Sequence, residues 1–219
     1  MKTRIIKGLV SGIMAGVCIG IGGFAYIAAT AVGERLLGSF FFRVGLLLIL
    51  YFGFYLYTGK IGYIFENKKD YIVDLFSMLV GNFLGAGLIG YGIRLTKVYT
   101  TYQDTIQAVA NGKLSDSWIS ILVLAILCGI LVFSAVDVYK KDFHPVVKVI
   151  NVIFCIGIFV VCGFEHVVAD MFFFSLANVW SWHALFYVFL MVVGNSLGSI
   201  IFYLALKFLR PAVKPTAKQ

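Results

Sequence analysis

Cys162-Gly163-Phe164-Glu165-His166-Val167-Val168-Ala169-Asp170-Met171-Phe172 sets three ionisable side chains and a glycine in the middle of a strongly apolar run that extends from about residue 149 to 178. A run of that length and composition is at home in lipid. Polar groups at bilayer depth are tolerated where they face a cavity or a pathway, and irregular backbone survives there when protein shields it. The stretch therefore reads as a broken membrane helix that lines a conduit.

The rest of the chain agrees. Of its 219 residues 61% are hydrophobic, 13% are charged and only three are proline, whereas a soluble domain averages about 45–50% apolar. Uncharged apolar runs fall near 8–33, 36–59, 71–93, 117–136, 149–178 and 184–206, and a helix needs about 20 such residues to cross a bilayer. The expected fold is an all-α polytopic membrane protein with six spanning units, forming one transmembrane channel domain over 1–219. The first run starts at Gly8, is too long for a signal core and has no clear cleavage site, so it is expected to remain in the mature chain. Cys18, Cys128, Cys155 and Cys162 all lie inside these runs, where thiols behave as small hydrophobes and not as a disulfide framework.

A net charge of +8 would point to nucleic acid in a soluble protein, but its distribution gives a simpler cause. With both termini cytoplasmic, Lys2, Arg4, Lys7, Lys60, Lys68, Lys69, Lys140, Lys141, Lys148, Lys207, Arg210, Lys214 and Lys218 lie inside. Arg35, Arg43, Arg94, Lys97 and Lys113 lie outside or in the outer half, a split of 13 against 5. The positive-inside rule then gives an even number of crossings with both ends in the cytoplasm, and no nucleic-acid partner is expected.

Gly8, Gly12, Gly16 and Gly20 recur every four residues, a small-residue face that lets two helix backbones approach closely. Beyond them the chain repeats itself. Val80-Gly81-Asn82-Phe83-Leu84-Gly85 matches Val193-Gly194-Asn195-Ser196-Leu197-Gly198 at an offset of 113, and Phe52-Gly53-Phe54-Tyr55-Leu56 loosely matches Cys162-Gly163-Phe164-Glu165-His166 at an offset of 110. Two matches in the same order at nearly the same offset argue for half-repeats near 1–95 and 113–210. Each holds three spanning units, an odd number, so the halves insert with opposite orientation. Such repeats place the permeation site near the midplane, at broken helices in corresponding positions. The breaks are expected in the second unit, around Tyr57-Thr58-Gly59-Lys60, and in the fifth, around Gly163 to Asp170, with free amide ends that favour an anion.

These motifs resemble the formate/nitrite transporter family of bacterial anion channels over nearly all of residues 4–208. The likeness is carried by Gly163-Phe164-Glu165-His166 with Ala169 and Met171-Phe172, by Leu56-Tyr57-Thr58-Gly59 and by the two Gly-Asn-x-x-Gly motifs. The resemblance implies an aquaporin-like six-helix protomer in a homopentamer, with a separate pore in each subunit. It implies passage of formate, nitrite or hydrosulfide across the bacterial inner membrane. It makes His166 the central pore histidine, Thr58 the threonine of the broken second helix and Lys113 the vestibule lysine. Leu56 and Tyr57 fall at one constriction, Phe159 at the second, and Phe42 and Leu46 at lining positions upstream. Glu165, Asp170, Gly129, Asn82 and Asn195 are supporting positions. The chain departs from the family pattern at Tyr55, at Gly129, where an asparagine usually faces the histidine from helix four, and at Asp170, where an asparagine often stands.

A bare anion in an apolar constriction faces a desolvation penalty of several kcal/mol even after relaxation, so a neutral species passes more readily. Lys113 can gather a weak-acid anion at the mouth, and an ordinary histidine titrates near about 6.5. His166 is thus expected to donate a hydrogen bond or a proton, and Thr58 a hydroxyl contact. Plainer readings stand beside these. Lys113 lies in the polar stretch Gln107 to Ser117 and suits a solvated loop, and Thr58 can bond back to its own helix. Glu165 can anchor backbone amides of the broken segment, and Asp170 can fix the His166 ring or cap the next half-helix. An intramembrane metalloenzyme built on His166-x-x-x-Asp170 lacks a completing histidine cluster, and a neutral-solute channel of aquaporin type lacks Asn-Pro-Ala repeats. A transporter with no cofactor and no metal, and not an enzyme, is the expected class.

Overall fold

The computed structural model describes residues 2–209; Arg210, Lys214 and Lys218, counted above among the inner charges, lie outside them. Every regular element among the described residues is helical: α1 Lys2–Ala31, α2 Arg35–Phe52, α3 Tyr71–Arg94, α4 Lys97–Leu114, α5 Trp118–Lys140, α6 Pro145–Cys162, α7 Val167–Ala177 and α8 Trp182–Leu209, with 3-10 turns at Tyr57–Gly59 and Ile61–Glu66. Six helices, α1, α2, α3, α5, α6 and α8, are long and apolar enough to cross a membrane. Phe76, Leu88, Phe154 and Phe189 are each more than 60% exposed on the outside of the bundle, a surface suited to hydrocarbon.

Both breaks lie where the repeat puts them. α2 ends at Gly53 and α6 at Gly163, with φ of 69° and 71°, the left-handed region that glycine enters without penalty. In each, the next amide reaches back over the helix end: Phe54 N–H to the Ile49 carbonyl and Phe164 N–H to the Phe159 carbonyl, both at 2.9 Å. This is the Schellman closure, made twice. After it the chain runs extended back toward the middle of the bundle. One arm then enters the turns at 57–66 and the other enters α7.

Two asparagines hold the arms there. The Tyr57 N–H donates to Asn82 Oδ1 at 2.9 Å, and Asn82 Nδ2 donates to the carbonyls of Tyr55 and Gly12, both at 2.9 Å. The Val167 N–H donates to Asn195 Oδ1 at 3.0 Å, and Asn195 Nδ2 donates to the carbonyls of Glu165 and Ala125, both at 2.8 Å. Each asparagine is wholly buried and spends its amide on main-chain groups that the breaks leave without helical partners. Every partner in one set corresponds to one in the other at the offsets read from the sequence.

Small residues make this possible. A Cβ on Gly12 would stand 2.7 Å from the Met78 carbonyl oxygen, and one on Gly16 would stand 2.7 Å from the Ala86 nitrogen. α1 and α3 are therefore in backbone contact, and Gly194 and Gly198 set α8 on α5 in the same way. The close approach lets a short amide reach the neighbouring helix and the broken arm together.

The stretch between the halves is not a loop. α4 covers it, with Ile106 and Ala110 buried against the core and Tyr99, Tyr102 and Val109 half-buried beside them. Gln107 Nε2 donates to the Ala177 carbonyl at 2.9 Å, and Arg94 donates to the Leu176 carbonyl at 3.0 Å. These bonds tie α3 and α4 to the end of α7, and the next turn of α4 carries Lys113 inward.

Candidate functional site

The two arms meet at one contact. Thr58, fully buried in the first 3-10 turn, places Oγ1 2.9 Å from His166 Nε2. The other ring nitrogen is already committed: the Ala169 N–H donates to His166 Nδ1 at 3.2 Å, which makes His166 the N-cap of α7. A main-chain N–H only donates, so Nδ1 accepts and the ring proton belongs on Nε2, from which it is donated to Thr58. Phe159 stacks on the imidazole with centroids 5.7 Å apart, and Phe42 meets Phe159 edge-on at 5.6 Å.

A cavity opens beside His166, and a second lies behind Leu56. One, of about 730 Å³, is lined by Phe42, Phe159 and His166 together with Lys113, Glu165 and Asp170. The other, of about 260 Å³, is lined by Leu56, Gly53, Lys60 and Lys140. Phe42 and Phe159 face the larger space and Leu56 the smaller, and Thr58 itself lines neither.

Lys113 comes in from α4 to an ion cluster. Its Nζ pairs with Glu165 Oε2 and lies 2.8 Å from Asp170 Oδ1, with only 16% of the lysine side chain exposed. Burial alone works against the ammonium, but the carboxylates of Asp170 and Glu165 more than offset it, and Lys113 is held above its ordinary value. Both Asp170 oxygens are buried without a hydrogen-bond donor, the lysine approaching off the bonding axis. Two carboxyls thus share one ammonium.

Several sequence expectations are corrected by this geometry. Lys113 is on a helix and paired, not in a solvated loop. Asp170 neither fixes the His166 ring nor caps α7, since Ala169 does the first and His166 the second. The Glu165 carboxylate binds Lys113, while the Glu165 carbonyl is what anchors the broken segment. Amides at the start of α7 expected to be free are taken by Asn195 and by His166. Tyr57 opens the 3-10 turn that follows Leu56: its hydroxyl is 2.9 Å from Ser196 Oγ, and it lines neither cavity. Leu46 is 1% exposed, one turn from Phe42, and like Thr58 it is on neither cavity lining. Gly129 does not face His166. A Cβ there would stand 2.9 Å from the Cα of Asn195, the same backbone contact that Gly16 makes at Asn82. Thr58 bonds across to His166.

The sequence model of the formate/nitrite transporter family matches residues 1–209. The chain belongs to this family. It is a family of transporters and channels, not of enzymes. Among its curated members, this chain is 28% identical to the formate channel FocA of Haemophilus influenzae over 187 residues, which is 77% of this chain and 66% of that protein. It is 33% identical to the formate channel BtFdhC of Bacillus thuringiensis over 177 residues, 75% of this chain and 68% of that one. It spans about two thirds of the length of these relatives. Among solved structures, the fold superposes on a pentameric formate channel with formate bound at a TM-score of 0.81, with 22% identity, covering 95% of this chain and 98% of the other. The fold is that of formate/nitrite transporter channels, and the protein is a multi-pass membrane protein of that family.

Proposed function

We propose that this protein conducts small monovalent anions of weak acids, formate or nitrite foremost and hydrosulfide as a further candidate, with proton-linked passage past His166 between two hydrophobic constrictions. The reading rests above all on one observation: a cavity carrying Lys113 abuts His166, whose ring meets the buried Thr58 beside Phe42 and Phe159, and a second cavity carrying Lys60 and Lys140 lies behind Leu56, two residues before Thr58. An ion held at either mouth must shed water to pass these side chains, and its desolvation penalty falls away if it travels as the neutral acid.

The hydrogen-bond pattern favours one role for His166 over the other. With Nδ1 accepting from Ala169, forming an imidazolium would set N–H against N–H and uncap α7. The Nε2–H is already pointed at Thr58 and can turn to an arriving oxygen, with the Thr58 hydroxyl freed to donate as well. His166 therefore acts as a hydrogen-bond donor to the permeating acid, and the proton is drawn from water in the vestibule. Lys113 lines that vestibule and offsets the carboxylates of Glu165 and Asp170, which would otherwise repel the arriving anion.

By likeness to its relatives the protein assembles as a homopentamer with a pore in each subunit, in contact with membrane lipid. It sits in the bacterial inner membrane with both termini cytoplasmic, its halves near 1–95 and 113–210 inverted. The deciding experiment is uptake of a panel of labelled anions into proteoliposomes across pH 5 to 8, with and without an inward proton gradient. Saturable uptake of a small monovalent anion that grows as external pH falls is expected. Swelling by glycerol or water without anion uptake would instead make it a neutral-solute channel.

A further inference from the structure

The smaller cavity has a feature that the conduction reading leaves unused. Lys60, just after the first 3-10 turn, and Lys140, at the end of α5, both line this one small space. Among the described residues neither has a carboxylate within ion-pair distance. The nearest acid on α5, Asp137, is engaged by Lys141 and by the Tyr63 hydroxyl at 3.0 Å. Instead each ammonium rests over an aromatic face, Lys60 over Tyr55 at 4.8 Å and Lys140 over Tyr63 at 4.3 Å, which steadies a cation without cancelling its charge.

We propose that Lys60 and Lys140 form a binding subsite for a small monovalent carboxylate or oxyanion directly behind Leu56. Two neighbouring like charges repel, and an anion between them turns that repulsion into attraction on both sides. Lysine suits this task because its ammonium is a compact point charge on a flexible stem and imposes no bidentate geometry on the ligand. The location also fits. Leu56 lines the same cavity and stands two residues before Thr58, so an anion held here is next in line for the passage. The two mouths then differ in kind: on the far side Lys113 is shared with two carboxylates, whereas here the lysines are left to the ligand.

This inference rests on the conduction reading for its consequence but not for its test. With the full-length protein in right-side-out and inverted membrane vesicles at equal pH on both sides, tracer formate flux is measured against formate concentration. Lys60→Gln and Lys140→Gln are expected to raise the half-saturating concentration about tenfold when formate is offered at the Lys60 face and to change it little from the other face. Lys60→Arg keeps the charge and should keep the wild-type value. Unchanged half-saturation at both faces in a conducting protein would overturn the subsite. Line broadening of carbon-13 formate by the purified protein reports binding without conduction. Loss of half or more of the broadening in the double variant supports the subsite even if wild-type vesicles show no flux, a result that would count against conduction alone. Undiminished broadening in a double variant with a wild-type elution profile would overturn it.

Discussion

Thr58 Oγ1 and His166 Nε2, 108 residues apart in sequence, lie 2.9 Å from each other at the point where the two broken arms meet. The contact ends a chain of causes that begins with two glycines. Gly53 and Gly163 stop their helices, Asn82 and Asn195 hold the extended arms beyond them, and Ala169 fixes which nitrogen of the ring faces the threonine.

That chain makes Thr58→Val a clean probe. The variant keeps shape but removes the acceptor of the Nε2 proton, a loss of about 1–3 kcal/mol for a buried group left unpaired. The expected outcome is a correctly assembled protein with several-fold altered flux and an unchanged pH profile, read by proteoliposome uptake. His166→Phe removes the donor but not the source of the proton, so it should lower flux several-fold at every pH while uptake still grows as pH falls and the elution profile stays that of wild type.

The asparagines carry the fold more than the pore. Asn82→Ala and Asn195→Ala each strip three buried hydrogen bonds, so each should lower stability by about 2–3 kcal/mol or more. The exposed Asn111→Ala should change it by less than about 0.5 kcal/mol. Thermal unfolding in detergent, followed by intrinsic fluorescence, compares the three.

Gly129 separates a pore position from a packing position. An asparagine facing His166 would alter selectivity and spare the fold, but the space at Gly129 is filled by the backbone of α8. Gly129→Asn and its counterpart Gly16→Asn should therefore both fail to yield a monodisperse assembly. A well-folded Gly129→Asn protein with altered anion preference would reverse this assignment.

Much of this was legible in the sequence, and the misses have physical causes. The repeat of Gly-Asn-x-x-Gly and the glycines at 53 and 163 are local devices, visible as residue types at fixed offsets. What failed was direction. Nothing in Leu56-Tyr57 shows that the first lines a cavity while the second reaches Ser196, or that Gly129 is the partner of Gly16, until residue 16 is carried forward by the same 113 that relates Asn82 to Asn195. α4 was hidden by its polarity, yet Tyr99, Tyr102, Ile106, Ala110 and Lys113 follow helical spacing. That period puts the lysine on the buried face beside Asp170 and Glu165.

For the Lys113 cluster the sign of the charge balance sets the expectation. Lys113→Met leaves two buried carboxylates without a counter-charge and should cost about 3–5 kcal/mol, and adding Glu165→Gln with Asp170→Asn should restore most of the loss. A lysine held above its ordinary value contributes stability fully below the unfolded value of 10.5, and that contribution is lost only as pH rises through the elevated one. Thermal stability due to Lys113 is thus flat from pH 5 to 8, and titration of Lys113 supplies none of the pH dependence of transport. A stability step in that window, absent from Lys113→Met, would contradict this.

Passage as the neutral acid is tested most directly by following luminal pH with an entrapped dye while labelled formate enters proteoliposomes. Wild-type protein should acidify the lumen by about one proton per formate, at a rate indifferent to membrane potential and above that of empty vesicles. Formate entry that tracks the potential and leaves luminal pH unmoved would show the bare ion crossing between Phe159 and Leu56, and the account would be wrong.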